Sequence, residues 1–239
     1  MVNPTVARLT VRGLLGRRRG VLLLVVPAVL LVISLFARGA DQDKHDLTVS
    51  ILGQLSLGTL VPILGLVIGT GVISTEIDDG SIVYLLSKPI PRWQIITTKL
   101  AVAIATTWAF AAVPTLLAGL IIYGPQEGMA VGYAVGALAS GAAYSALFLL
   151  LGVVTRHAVV AGLAYALVWE SLIGNYVEGA RTLSVQQWGL AVAESVATDG
   201  AISSEVALGT AVPLLLGVAV AATVLASVKL AGLTLASEE

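Results

Sequence analysis

The chain has 239 residues, 57% hydrophobic and only 11% charged, with a mean hydropathy of +0.97. A soluble domain carries about 25% charged residues, so this composition excludes an ordinary water-soluble core and makes lipid the solvent. The net charge of −1 names no partner and gives no basis for nucleic-acid binding, and the lack of cysteine excludes disulfides, thiolate metal sites and cysteine nucleophiles.

In chain order, Asn3-Pro4 reads as a helix start. Arg8 and Arg12 fall four apart on one face, and Val6, Leu9 and Val11 supply apolar area. Residues 1–19 therefore read as an amphipathic helix on the inner leaflet, the other reading being a basic tail that only sets topology. Arg17-Arg18-Arg19 before Val21–Phe36 looks like a secretory signal. The apolar run is long for one, however, and Ala37-Arg38-Gly39-Ala40 is a poor cleavage site, so a retained first span is expected.

A helix needs about 20 apolar residues to cross the hydrocarbon core. Six stretches meet this: 20–37, 49–74, 95–123, 129–154, 158–174 and 206–230. A tight turn at Arg156 separates the fourth from the fifth. Six spans with their surface elements fill residues 1–239 as a single all-α membrane domain. Pro62, Pro114 and Pro213 are candidate kinks. Gly65 with Gly69, and Gly132 with Gly136 and Ser140, follow a small-xxx-small spacing that lets helix backbones approach closely. The outer segment 175–205 carries Trp188 in an apolar helical pattern, and it either lies flat at the interface or dips inward.

Lys and Arg bias orients the spans. With the N-terminus in the cytoplasm, ten basic residues face inward: Arg8, Arg12, Arg17, Arg18, Arg19, Lys88, Arg92, Lys99, Arg156 and Lys229. Three face outward: Arg38, Lys44 and Arg181. Both termini are then expected inside, with the 75–94 connection.

No Gly-Lys pair is present, so a Walker A nucleotide loop is absent from this sequence. The two histidines, His45 and His157, fall on opposite sides of the expected membrane, which rules out a His-based metal or catalytic cluster. Three residues are candidates for a translocation path. Glu170, near the outer end of the fifth span, is the most anomalous, because an ionisable group there is costly and faces protein or water. It either lines a polar vestibule or is satisfied by Ser171, Asn175 or water. Gln54 and Asn175 are the other two.

The most informative stretch runs from Ser74 to Arg92. Glu76, Asp78 and Asp79 form an acidic cluster. Gly80 and Pro89 bracket Ser81-Ile82-Val83-Tyr84-Leu85-Leu86-Ser87-Lys88, which reads as a two-turn helix between turns. Its exposed Ile82, Val83, Leu85 and Leu86 either lie on the bilayer or dock in a partner's groove.

The pattern Glu76-x-x-x-Gly80-Ser81-Ile82-x-Tyr84-Leu85-Leu86-Ser87-Lys88-Pro89-Ile90-x-Arg92, with Lys99 downstream, resembles the cytoplasmic loop of type-2 ABC exporter permeases. Trp169-Glu170-Ser171 followed by Arg181-x-Leu183-Ser184-Val185 is similar to small permeases of the bacitracin-export and copper-site-assembly type. The resemblance implies six spans, an N-terminal surface helix, a coupling helix between spans two and three, and short outer helices between spans five and six. It also implies a dimer in a bacterial cell membrane, served by two separate ABC ATPase subunits. ATP and Mg would be bound by those partners and no cofactor by this chain. The coupling contact would involve Glu76, Asp78, Asp79, Gly80, Ser81–Lys88, Pro89 and Arg92. Two alternatives stay open: a stand-alone secondary transporter or channel built on Glu170, and a non-exporting immunity or maturation role.

Overall fold

A computed structural model describes residues 4–14, 16–40, 43–74, 76, 91–173, 180–198 and 200–232. The described residues are helical with short turns and contain no strand. Helix α1 is Pro4–Leu14 and α2 is Arg17–Arg38. The next two long helices are α3, Lys44–Gly71, and α4, Arg92–Ile122, followed by α5, Met129–Val154. Then come α6 (158–173), α7 (Val185–Val196) and α8 (Leu208–Gly232).

Five helices are long and apolar enough to cross a membrane: Gly20–Arg38, Lys44–Gly71, Arg92–Ile122, Gln126–Val154 and Leu208–Gly232. They match five of the six expected spans to within a few residues. The fifth expected span, 158–174, corresponds to α6, whose apolar part Ala158–Glu170 is shorter. At the expected Arg156 turn, Thr155 adopts extended backbone and breaks the chain between α5 and α6.

Amphipathic α1 forms as expected, with Val6, Thr10 and Leu14 buried on one stripe and both arginines exposed. Burial then sorts the long helices. α3 and α5 are 61% buried over their most apolar windows, whereas α2 and α8 reach only 28% and 22%. So α3 and α5 form the centre, with α2 and α8 presenting apolar outer faces. Hydroxyl pairs link the central spans: Ser56 with Thr115 at 2.5 Å and Thr107 with Ser145 at 3.0 Å. Such interhelical bonds average about 0.6 kcal/mol in membranes, so they align the helices more than they hold them.

Two of the expected proline sites coincide with widened helix. Residues Ile51–Leu60 of α3 and Trp108–Ala112 of α4 are π-helical. A proline ring clashes with the carbonyl of residue i−4. For Pro62 and Pro114 those residues are Gly58 and Phe110, inside the widened turns, where the altered hydrogen-bond spacing makes room for the ring.

The small-residue spacings find specific partners. A Cβ on Gly65 would lie 2.8 Å from Cβ of Tyr144, and one on Gly69 would lie 2.9 Å from Cβ of Phe148. Those contacts join α3 to α5. The second set receives α7: a Cβ on Gly132 would meet Ala193 O at 2.7 Å, and one on Gly136 would meet Gly189 O at 2.5 Å. Helix α7 therefore lies along the first three turns of α5 and does not cross the span ends. Its early residues Val185, Gln186, Trp188 and Gly189 are buried, while Glu194, Ser195 and Val196 are exposed. Gly136→Val should cost at least the 1–3 kcal/mol typical of overpacking, because the obstacle is backbone. The apparent melting temperature of the purified chain checks this, with Gly217→Val, where nothing lies within 4 Å, expected to be neutral.

Candidate functional site

The connection after α3 is framed by an ion pair between a buried lysine and a partly exposed glutamate. Val72 ends the helix, and Glu76 N–H donates to Ile73 O at 3.1 Å in the following turn. Helix α4 begins after Pro91, whose carbonyl accepts from Gln94 and Ile95. Two turns into α4, Lys99 is fully buried. Its ammonium donates to Val72 O at 2.6 Å and to Glu76 Oε1 at 2.6 Å. One cation thus ties the exit of α3 to the start of α4, with residues 77–90 strung between them. Of the expected coupling residues, Glu76 and Arg92 are described, and Arg92 is half-buried. Asp78, Asp79, Gly80, Ser81–Lys88 and Pro89 lie outside the described residues.

Glu170 lies on the π-helical part of α6, Tyr165–Ile173, and is 1% exposed. Three donors converge on its carboxyl group. Tyr165 Oη donates to Oε1 at 3.0 Å, Val185 N–H to Oε1 at 3.1 Å and Ser184 Oγ to Oε2 at 2.5 Å. Ser184 is also the N-cap of α7, its hydroxyl accepting from Gln187 N–H at 3.3 Å. The acid therefore sits on the N-terminus of α7, where unsatisfied N–H groups and the helix dipole favour negative charge. The partners found are Tyr165, Ser184 and Val185, none of them among those the sequence suggested. Asn175 lies outside the described residues. A π turn, bonding i to i+5, brings Tyr165 and Glu170 to one side, a pairing that α-helical spacing would hide.

Gln54 occupies a different place. It is exposed on the π-helical stretch of α3, where it lines a groove of about 340 Å³ with Ser50, Thr59 and Gln186. Gln186, 4% exposed, donates from Nε2 to Gly53 O at 3.0 Å. It also fills the space beside Gly58, where a Cβ would come within 2.8 Å of Nε2. Gln54 and Glu170 do not share a surface, yet they are linked. Glu170 holds Val185, and the next residue enters the groove. Lys99, Tyr165, Ser184 and Gln186 were not picked out as site residues from the sequence. Lys99 read as an orientation-setting charge and, with Ser184, as a position in the family-like patterns, while Tyr165 and Gln186 carry no periodic signal.

The sequence model of the ABC-2 family transporter protein matches residues 21–178. That stretch covers the helices from α2 into α6, with the Lys99–Glu76 pair, Gln54 and Glu170, whereas α7 and α8 lie beyond it. No curated protein matches the chain significantly. The long apolar helices and the match over more than half of the length lead to one conclusion: the chain belongs to the ABC-2 transporter family and is a membrane permease component of an ABC transporter.

Proposed function

We propose that the chain is the permease of an exporter, working as a dimer on two copies of a separate ATPase that binds ATP and Mg. In this reading the chain lies in a cell membrane with both termini and residues 77–90 in the cytoplasm. Ser81–Lys88 forms the helix that seats in the ATPase, where Ile82, Val83, Leu85 and Leu86 are covered. The observation that carries the reading is the Lys99 clamp at the base of this connection. A displacement of 77–90 reaches α3 and α4 together, because Val72 and Glu76 are both joined to the buried Lys99 ammonium by hydrogen bonds. Closure of the ATPases then shifts packed spans as rigid bodies between two arrangements.

The burial of Glu170 weighs against the stand-alone alternative, since its carboxyl group is engaged by three protein donors and is 1% exposed. A proton carrier needs access to water from at least one side. Co-expression with the candidate ATPase and measurement of vanadate-sensitive ATP hydrolysis tests the coupling. Leu85→Asp should abolish assembly or lower stimulated hydrolysis at least tenfold, because a carboxylate does not seat in an apolar cleft. Intact assembly and full activity in that variant would show that the docking helix is elsewhere. Substrate efflux from vesicles that carry the co-expressed pair separates export from an immunity or maturation role.

A further inference from the structure

The polar groove on α3 has a neighbour that gives it chemical meaning. On the α2 side of the same helix lies an apolar crevice of about 210 Å³, walled by Val25, Val29 and Leu30 of α2 and Leu60 of α3. Groove and crevice share Leu55 and Thr59, so they form one concave surface with a polar half and an apolar half.

The polar half is placed where lipid would otherwise touch it. At 1.5 Å per residue α3 is about 40 Å long, against a hydrocarbon core of about 30 Å. Gln54 is ten residues from Lys44, or about 15 Å along, well inside the core if the helix is centred. Thr59 Oγ1 bonds back to Gln54 O at 3.1 Å. The side chains of Ser50 and Gln54 have no hydrogen-bond partner among the described residues. An amide brings two donors and an acceptor, and leaving them against hydrocarbon is unfavourable. Gln186 commits Nε2 to Gly53 O and leaves its Oε1 as an acceptor beside the groove. No charged side chain lines either half. Ser50 also borders a pocket with Asp43 and Asp46, but Asp46 is 86% exposed and precedes Gln54 by about 12 Å of helix. A charged head at Gln54 and Thr59 would therefore lose its hydration without gaining a counter-ion, whereas a neutral hydroxyl- or amide-bearing head would be matched.

Building on the permease reading, we infer that Ser50, Gln54, Thr59 and Gln186 bind the uncharged polar head of an amphiphile whose hydrocarbon chain lies in the α2–α3 crevice. Substrate chemistry is then neutral and amphipathic, and Thr59 marks the junction between head and tail.

Photolabelling of the full chain in phosphatidylcholine nanodiscs tests this without the ATPase. The probe is an alkyl maltoside with a benzophenone in its tail, compared with an alkyl sulfate and an alkyltrimethylammonium of the same tail. The maltoside should label residues 25–30 and 55–60 saturably, and excess unlabelled maltoside should compete. The Ser50→Ala/Gln54→Leu variant should lower that labelling about tenfold, the equivalent of one or two lost hydrogen bonds. Labelling of the exposed α8 face at Leu216 and Val220 should stay unchanged. Thr59→Trp, at an exposed position, should block tail entry and supplies a second variant. Equal labelling by all three probes, non-saturable labelling like that of α8, or indifference to both variants would overturn the proposal. So would efficient oxidative cross-linking of two Gln54→Cys chains, clean in this cysteine-free sequence, because a second copy would then cover the groove. Those outcomes remove the site alone, while the Leu85→Asp result bears on the permease reading alone.

Discussion

Lys99→Met should uncouple the partner ATPase from the membrane domain and destabilise the fold, and the two effects should be separable. Lys99 is fully buried, with its ammonium on Val72 O and Glu76 Oε1. Removing one member of a fully buried ion pair costs about 3–5 kcal/mol; Glu76 keeps 29% of its side chain exposed, so the loss should fall at or below the lower end of that range. Replacing both with apolar side chains of similar size is often neutral. Lys99→Met/Glu76→Met should therefore recover most of the melting temperature lost by Lys99→Met. It should not recover vanadate-sensitive hydrolysis, because the Lys99 bonds to Val72 O and Glu76 then no longer cross from the exit of α3 to α4. Lys99 is here a positioning residue, acting through the ends of the 77–90 connection. If the double variant regains both stability and stimulated hydrolysis, the clamp serves folding only. The double-mutant cycle also measures the pair directly, since the residues are in contact and their effects are not additive.

That clamp shows where sequence reading stopped. Runs of apolar residues mark spans because bilayer thickness fixes helix length, and five helices fall where hydropathy put them. The turn at Arg156 followed from the same length constraint. Lys99, in contrast, read as a cytoplasm-side cation and as a position in the family-like pattern, with no partner indicated. Nothing periodic connects it to Glu76, 23 residues earlier across a connection. Glu170 was conspicuous as a charge among apolar residues, but its partners Ser184 and Val185 come from a segment beyond the next turn. The spacing of Gly132, Gly136 and Ser140 announced a close approach without naming the approaching helix, which is α7. Gln54 read as a candidate for a translocation path, but only tertiary placement sets it beside Gln186 on a groove. Local patterns carry span and packing signals, whereas partner identity is set by tertiary placement.

Glu170→Ala should release α7 from α5 while leaving the long spans in place. The substitution removes the acceptor of three hydrogen bonds and leaves Tyr165 Oη, Ser184 Oγ and Val185 N–H unpaired in a dry site. A buried donor left without a partner costs about 1–3 kcal/mol, and more for groups bonded to a charge, so a loss of about 3–5 kcal/mol is expected. Glu170→Gln keeps one acceptor oxygen but turns an amide donor towards other donors, so its loss should be about half as large. Ala193→Cys gives a local readout, because Ala193 is fully buried against Gly132 and Gly136. In the parent chain that thiol should resist maleimide, and with Glu170→Ala it should react. The groove should respond as well: Gln186 follows Val185, so freeing the start of α7 withdraws Nε2 from Gly53 O and weakens maltoside labelling at residues 55–60. A proton carrier predicts otherwise. Glu170→Gln would then leave the melting temperature and thiol protection intact and abolish only the pH dependence of transport. Unchanged protection at Ala193→Cys with a lost pH dependence would move Glu170 from the scaffold into the transport step.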